Sequence, residues 1–114
     1  MIKRGDILLV DFEPVKGSEQ GKIRPCVVIQ NDIGNKYSNT TIVVPVTSKT
    51  PEKYYPTDVF AKAEELELKR AGLIKCSQIA TVSVKERVIK RLGKAKPSVM
   101  AKVDEAIKTS LELK

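Results

Sequence analysis

The sequence predicts a mainly β protein of the α+β class, a small, strongly bent antiparallel sheet, partly closed into a barrel, packed against a C-terminal amphipathic helix. Three observations predict it. Apolar residues arrive in short bursts rich in Val, Ile and Thr, too brief for globular helices and suited to strands. Gly, Pro, Asn and Asp punctuate the bursts. Only in the last segment does the apolar spacing change to three and four.

Asp6 to Phe12 is the first burst, bounded by Gly5 and Pro14, and a polar loop carrying Pro14, Gly17 and Gly21 runs to Arg24. Pro25 to Gln30 reads as a strand with Pro25 at its first position, where a missing N–H is tolerated. Asn31 to Asn35 is turn chemistry. Thr40 to Thr47 is dense in β-branched residues, and its internal Pro45 predicts a bulge or an edge. Ser48 to Pro56 is a loop, Thr57 to Phe60 a short extended piece, and Ala61 to Arg70 holds one or two turns of helix formers. Gly72 to Val84 reads as one long, bent strand, and Val88 to Gly93 as a weaker one. From Pro97 to about Leu113, Val99, Val103, Ala106 and Ile107 fall on one helical face, with Pro97 at a permitted first-turn position and no capping side chain at Lys96.

The 114 residues fit one domain spanning 1–114, and 41% hydrophobic with 31% charged residues is ordinary globular usage rather than disorder. No stretch approaches the ~20 apolar residues of a membrane span, and the first residues lack the apolar core of a secretory signal, so a cytoplasmic protein is expected. Cys26 and Cys76 lie in apolar surroundings that suit buried thiols, with a cross-strand bridge left open. There are no histidines. That removes His-based zinc sites, Ser/His/Asp triads and two-histidine ribonuclease chemistry.

The net charge is +7, and residues from Pro97 onward balance to zero, so the surplus sits in the first 96 residues. A polyanion partner is the natural inference. Lys85, Arg87, Lys90, Arg91, Lys94 and Lys96 face only Glu86 within twelve residues. Such a run is either a phosphate-attracting surface or an edge strand guarded by lysines. Arg24 closes a Gly-containing loop directly before a strand that Pro25 stiffens, so its guanidinium is held at a sheet margin, able to give paired hydrogen bonds to a phosphate. Thr47 and Ser48 end another strand, where a rigid scaffold can present a hydroxyl.

In order along the chain stand Arg4-Gly5-Asp6-Ile7, Asp11-Phe12-Glu13-Pro14, Gly17-Ser18-Glu19-Gln20-Gly21, Arg24-Pro25, Val28-Ile29-Gln30-Asn31-Asp32, Pro45-Val46-Thr47-Ser48, Ser77-Gln78-Ile79-Ala80-Thr81 and Val103-Asp104-Glu105-Ala106-Ile107. In this order and spacing the chain resembles the MazF/PemK family of type II toxin–antitoxin endoribonucleases over nearly its whole length. The resemblance implies an SH3-like partial barrel, a cytoplasmic homodimer, and sequence-specific, metal-independent cleavage of single-stranded RNA with no cofactor. It implies Arg24 and Thr47 as the catalytic pair and Ser18, Glu19, Gln20, Ser48, Ser77 and Gln78 as RNA-holding positions. It also implies an acidic, MazE-like antitoxin competing for the same cleft. One branch of the family has a carboxylate where Ser77 stands, which leaves Glu19 as the nearest candidate general base, or else as a residue that ties its loop down; a basic residue is common where Ala80 stands, so one phosphate contact is expected to be missing. The alternative from another class is a non-catalytic toxin on the same fold, a CcdB-like gyrase inhibitor, or a member that only binds RNA.

Overall fold

The computed structural model describes residues 1–12, 23–49 and 51–114. The order is β1 (Asp6–Asp11), β2 (Ile23–Val28), α1 (Asp32–Tyr37), β3 (Thr40–Thr47), β4 (Asp58–Ala61), α2 (Ala63–Leu66), β5 (Gly72–Lys75), β6 (Ala80–Ser83), α3 (Val84–Arg87), β7 (Val88–Lys94) and α4 (Pro97–Leu111). Among the described residues the seven strands pair antiparallel in the order β4-β5-β3-β2-β1-β7, with β6 also on β3. The predicted α+β class and terminal helix are what the chain adopts, and no ladder between described residues joins β4 to β7.

Both faces of the sheet are covered, which explains the unbroken apolar runs in β2 and β3. One core gathers Ile7, Val27, Val44, Val46, Leu66 and Ile74 beneath α4, whose Val99, Val103 and Ala106 are buried. The other gathers Leu8, Val10, Cys26, Val28, Val43 and Val82. Each fully buried Val, Leu or Ile contributes ~1.5–3 kcal/mol of burial free energy, so the alternation of β1 between these cores, Ile7 to one and Leu8 to the other, fixes its register. α4 begins at Pro97 without a side-chain cap and ends at Glu112, whose backbone turns left-handed at φ 59°. Gly5, at φ 93°, donates its N–H to the Val28 carbonyl and accepts from Ala95, tying β2 to the lead-in of α4.

Four local expectations are corrected. Asn31 to Asn35 is not a simple turn: Asn31 caps α1, its side chain accepting the Gly34 N–H at 2.7 Å, the same Asx chemistry used to start a helix. Pro25 is the third residue of β2 rather than its first, and pairing with β3 starts only after it, at Cys26 opposite Pro45. Pro45 marks neither an edge nor a registered bulge; β3 is central. Its other flank pairs with β6 at Thr40–Val43 and with β5 at Val46–Thr47, and the missing N–H falls in the gap between those two partners. Because the two partners meet β3 on either side of that gap, Gly72 to Val84 is two strands with a break at Cys76–Ile79. Cys26 and Cys76 are free thiols in separate cores.

Candidate active site

The register of β2 on β3 pairs Val28 with Val43, Val27 with Val44 and Cys26 with Pro45. The ladder ends at that last pair; continued by two residues, the same register would bring Arg24 toward Thr47, with both side chains on one sheet face by the alternation of each strand. That face is the one lined by Val10, Cys26, Val28 and Val43, so the two residues stand where an apolar core runs out at the sheet end. Arg24 is pinned from the other side by its pairing with Val10 of β1. Its guanidinium makes no hydrogen bond or ion pair to another described residue. Thr47 Oγ1 accepts the Lys49 N–H at 3.2 Å, which orients the oxygen and leaves the hydroxyl proton to be donated.

Ser77 and Gln78 are exposed in the break between β5 and β6, where the Gln78 N–H closes a turn onto the Lys75 carbonyl at 3.1 Å and Cys76 is tied to Thr57. Leu73 lies opposite Thr47, and Ala80 lies opposite Val43. The break therefore passes beside Val44 and Pro45, about 7–10 Å along β3 from Thr47 at ~3.3 Å per residue. Ser77 and Gln78 thus lie beside the middle of β3, on the flank opposite β2, while Arg24 and Thr47 lie toward the ends of their strands, and among the described residues no hydrogen bond or ion pair joins the two pairs. Ser18, Glu19 and Gln20 lie outside the described residues. Ser48 is set apart from Arg24 and Thr47. It lines a cleft of about 700 Å³ together with Pro25 and Val46, whose side chains alternate away from Arg24 and Thr47.

Burial pushes the Cys26 thiol up to about 12 despite the nearby Arg24 charge, and burial with the Asp58 charge holds Cys76 at about 12 as well. Neither thiol is a nucleophile near neutrality. The basic run is partly answered within the fold: Arg91 Nε donates to Asp6 Oδ1 at 3.2 Å, and Lys94 Nζ lies 3.8 Å from the same oxygen. Those two cations hold the buried Asp6 carboxylate, while Lys85 and Lys90 stay exposed. Among the described residues no group of three or more carboxylates and thiols is gathered to hold a metal, and no helix is long and apolar enough to cross a membrane.

Sequence reasoning passed over Lys69 and Arg70, which stand on the rim of the Ser48 cleft. Their adjacency just ahead of Gly72 was the available signal, but nothing in the sequence tells that this turn folds back beside Pro25.

A model of the PemK-like, MazF-like toxins of type II toxin–antitoxin systems matches residues 3–111. The chain is 42% identical over 113 residues to the endoribonuclease EndoA of Bacillus subtilis (strain 168), covering 99% of this chain and 97% of that one. Its fold is similar to a crystal structure of MazF from Deinococcus radiodurans, with a TM-score of 0.82 at 25% identity over 98% of this chain and 97% of that one. It is also similar to a mycobacterial endoribonuclease solved in complex with its cognate antitoxin, with a TM-score of 0.81 at 21% identity over 100% and 98% of the two chains. With the family model covering nearly every residue and a curated endoribonuclease matched along its whole length, the chain belongs to the PemK-like, MazF-like toxin family of type II toxin–antitoxin systems.

Proposed function

We propose that this chain is the endoribonuclease toxin of such a system, acting in the cytoplasm as a single-domain subunit of a homodimer, and that Arg24 and Thr47 carry the reaction on single-stranded RNA. What supports the pairing is the β2–β3 register, which, continued two residues past Cys26 and Pro45, turns both side chains to one sheet face.

RNA brings its own nucleophile. The 2′-hydroxyl loses its proton as its oxygen bonds to the adjacent phosphorus, the P–O5′ bond breaks, and the departing O5′ takes up a proton. The products are a 2′,3′-cyclic phosphate and a 5′-hydroxyl. Arg24 neutralises the charge that builds on the non-bridging oxygens and stands ready to supply the proton to O5′. Thr47, its oxygen fixed by the Lys49 N–H, donates to a non-bridging oxygen and holds the phosphate in line. Gln78 and Ser77 steady the neighbouring nucleotide, and Glu19 is the candidate acceptor for the 2′-hydroxyl proton. DNA lacks that hydroxyl and binds without reacting. Because Arg24 supplies the charge that a metal ion would otherwise supply, cleavage persists in chelator.

The +7 net charge favours an acidic antitoxin segment over the same groove. Exposed Phe60 on β4 and Leu111 at the end of α4 offer apolar surface to a second copy. The test is incubation of the purified protein with a long single-stranded RNA in chelator. Discrete fragments with cyclic phosphate ends, lost in folded Arg24→Ala and Thr47→Ala, are expected. Intact RNA with inhibition of DNA supercoiling would overturn the proposal in favour of a gyrase inhibitor.

A further inference from the structure

Behind Arg24 and Thr47, on the other face of the same strand ends, lies the cleft of about 700 Å³ that begins at their chain neighbours Pro25 and Ser48. Its floor is apolar, made by Pro25, Val46, Leu68 and Leu92. Its rim is cationic. Lys69, Arg70 and Lys90 are exposed there, and none of them pairs with a carboxylate among the described residues. The lining holds one acid, Glu67, against these three cations; it is exposed, with its Oε1 3.9 Å from Arg91 Nη2 outside the cleft, so the rim carries a net positive charge.

The wall that carries Lys69 and Arg70 is held at both ends. A Cβ on Gly93 of β7 would collide with the Leu66 and Glu67 carbonyl oxygens, and one on Gly72 would collide with Val46. These two glycines let the α2–β5 turn sit directly on the sheet, and Lys96 N–H donates to the Glu65 carbonyl at 2.9 Å beside it. Glu67 takes a left-handed backbone at φ 55° to make the turn. The cations are thus presented by a fixed wall, and the size is within the range of small-ligand sites.

We infer that this cleft is a second RNA-contact site, which takes a nucleotide flanking the scissile bond, its phosphate against Lys69, Arg70 and Lys90 and its base over the apolar floor. The inference rests on the proposed cleavage of RNA. Pro25 and Ser48 are the chain neighbours of Arg24 and Thr47, so the cleft begins about one residue from the proposed reacting phosphate, close enough for an adjacent nucleotide of the same strand. The cleft then fixes which nucleotides can flank the cut, without touching the reacting atoms.

The test measures equilibrium binding of a labelled single-stranded RNA in which every ribose is 2′-O-methylated, so that it cannot react, across a salt series. Wild-type protein is compared with the triple variant Lys69→Gln, Arg70→Gln and Lys90→Gln, which keeps most of each apolar stem, and with a reference triple variant Lys36→Gln, Lys102→Gln and Lys114→Gln of equal charge change. Removal of three phosphate contacts from a single strand is expected to flatten the salt slope by about 2 and weaken binding by ~10–100-fold at low salt. The reference variant moves both by less than half as much. Equal losses in the two variants, or none in either, overturn the cleft as an RNA site. Loss confined to an acidic peptide probe, with RNA binding intact, also overturns it. Cleavage of unmodified RNA by the wild type is scored in parallel, so that a failed cleft with intact cleavage leaves the endoribonuclease reading standing, whereas absence of cleavage removes that reading and, with it, the substrate assigned to the cleft.

Discussion

Arg4 and Arg24 stand at opposite ends of the polar spectrum of this fold, and so do Thr41 and Thr47. Arg4 donates through Nε to the Ile29 carbonyl at 2.8 Å and through Nη2 to Asp104 at 2.6 Å, while its backbone N–H reaches Asp32. Thr41 is fully buried and gives its hydroxyl proton to Asn35, which Gln30 also holds. These bonds tie α1 and α4 to the sheet. At the other end Arg24 has no described partner and Thr47 only accepts, so its proton stays available. Identical side chains are committed inward in one region and, among the described residues, left with spare hydrogen-bonding capacity in the other. That spare capacity is what a phosphate would take up.

The largest expected break in this symmetry is Arg24→Ala. It lowers kcat by about 10³-fold, the effect of losing a principal charge-stabilising donor, and leaves the thermal midpoint within a degree or two of wild type. Thr47→Ala follows at ~10²-fold in kcat, with circular dichroism unchanged. Arg4→Ala inverts the pattern: urea melts lose ~1–2 kcal/mol, toward the low end because the Asp104 pair is partly exposed, and cleavage per folded molecule is retained. If Arg4→Ala abolished cleavage without a change in stability, the contrast between the two ends would be wrong.

A smaller effect concerns the thiols. In the folded chain Cys26 and Cys76 keep their protons to about pH 12 because burial disfavours the thiolate. The unfolded chain releases them nearer pH 9, so below that pH they add no pH dependence. Above it the unfolded state binds fewer protons and stability falls as pH rises, by up to ~1.4 kcal/mol per pH unit per thiol until the folded value is reached. Urea melts between pH 8 and 10.5 check this, and a flat profile in Cys26→Ala, Cys76→Ala would assign the fall to these groups. Cleavage at neutral pH is expected to survive iodoacetamide, since neither thiol ionises there.

Much of the fold was legible because burial on both sheet faces wrote itself into runs such as Val43–Val46, and because the Val99, Val103, Ala106 spacing could serve only a helix. What sequence could not reveal was partner choice. Pro45 reads as an edge until it is seen to fall between two different partners of β3, and that same split cuts Gly72 to Val84 in two. Asn31 carries the same side-chain chemistry for a turn and for a helix cap, and the local sequence does not decide between them. For the proposed site, Arg24 and Thr47 come from the resemblance, and a continuation of the β2–β3 register is what supports pairing them. The rim cations Lys69 and Arg70 were missed because their position depends on the close approach that Gly93 and Gly72 allow.

Coupling between Arg24 and Thr47 is measured most directly by a cycle of cleavage rates on one RNA for wild type, Arg24→Ala, Thr47→Ala and the double variant. If both groups hold the same phosphate, the double variant loses less than the product of the single losses, by a factor of ~5 or more. Strictly multiplicative losses would show that the guanidinium and the hydroxyl act on separate parts of the substrate and would contradict the account.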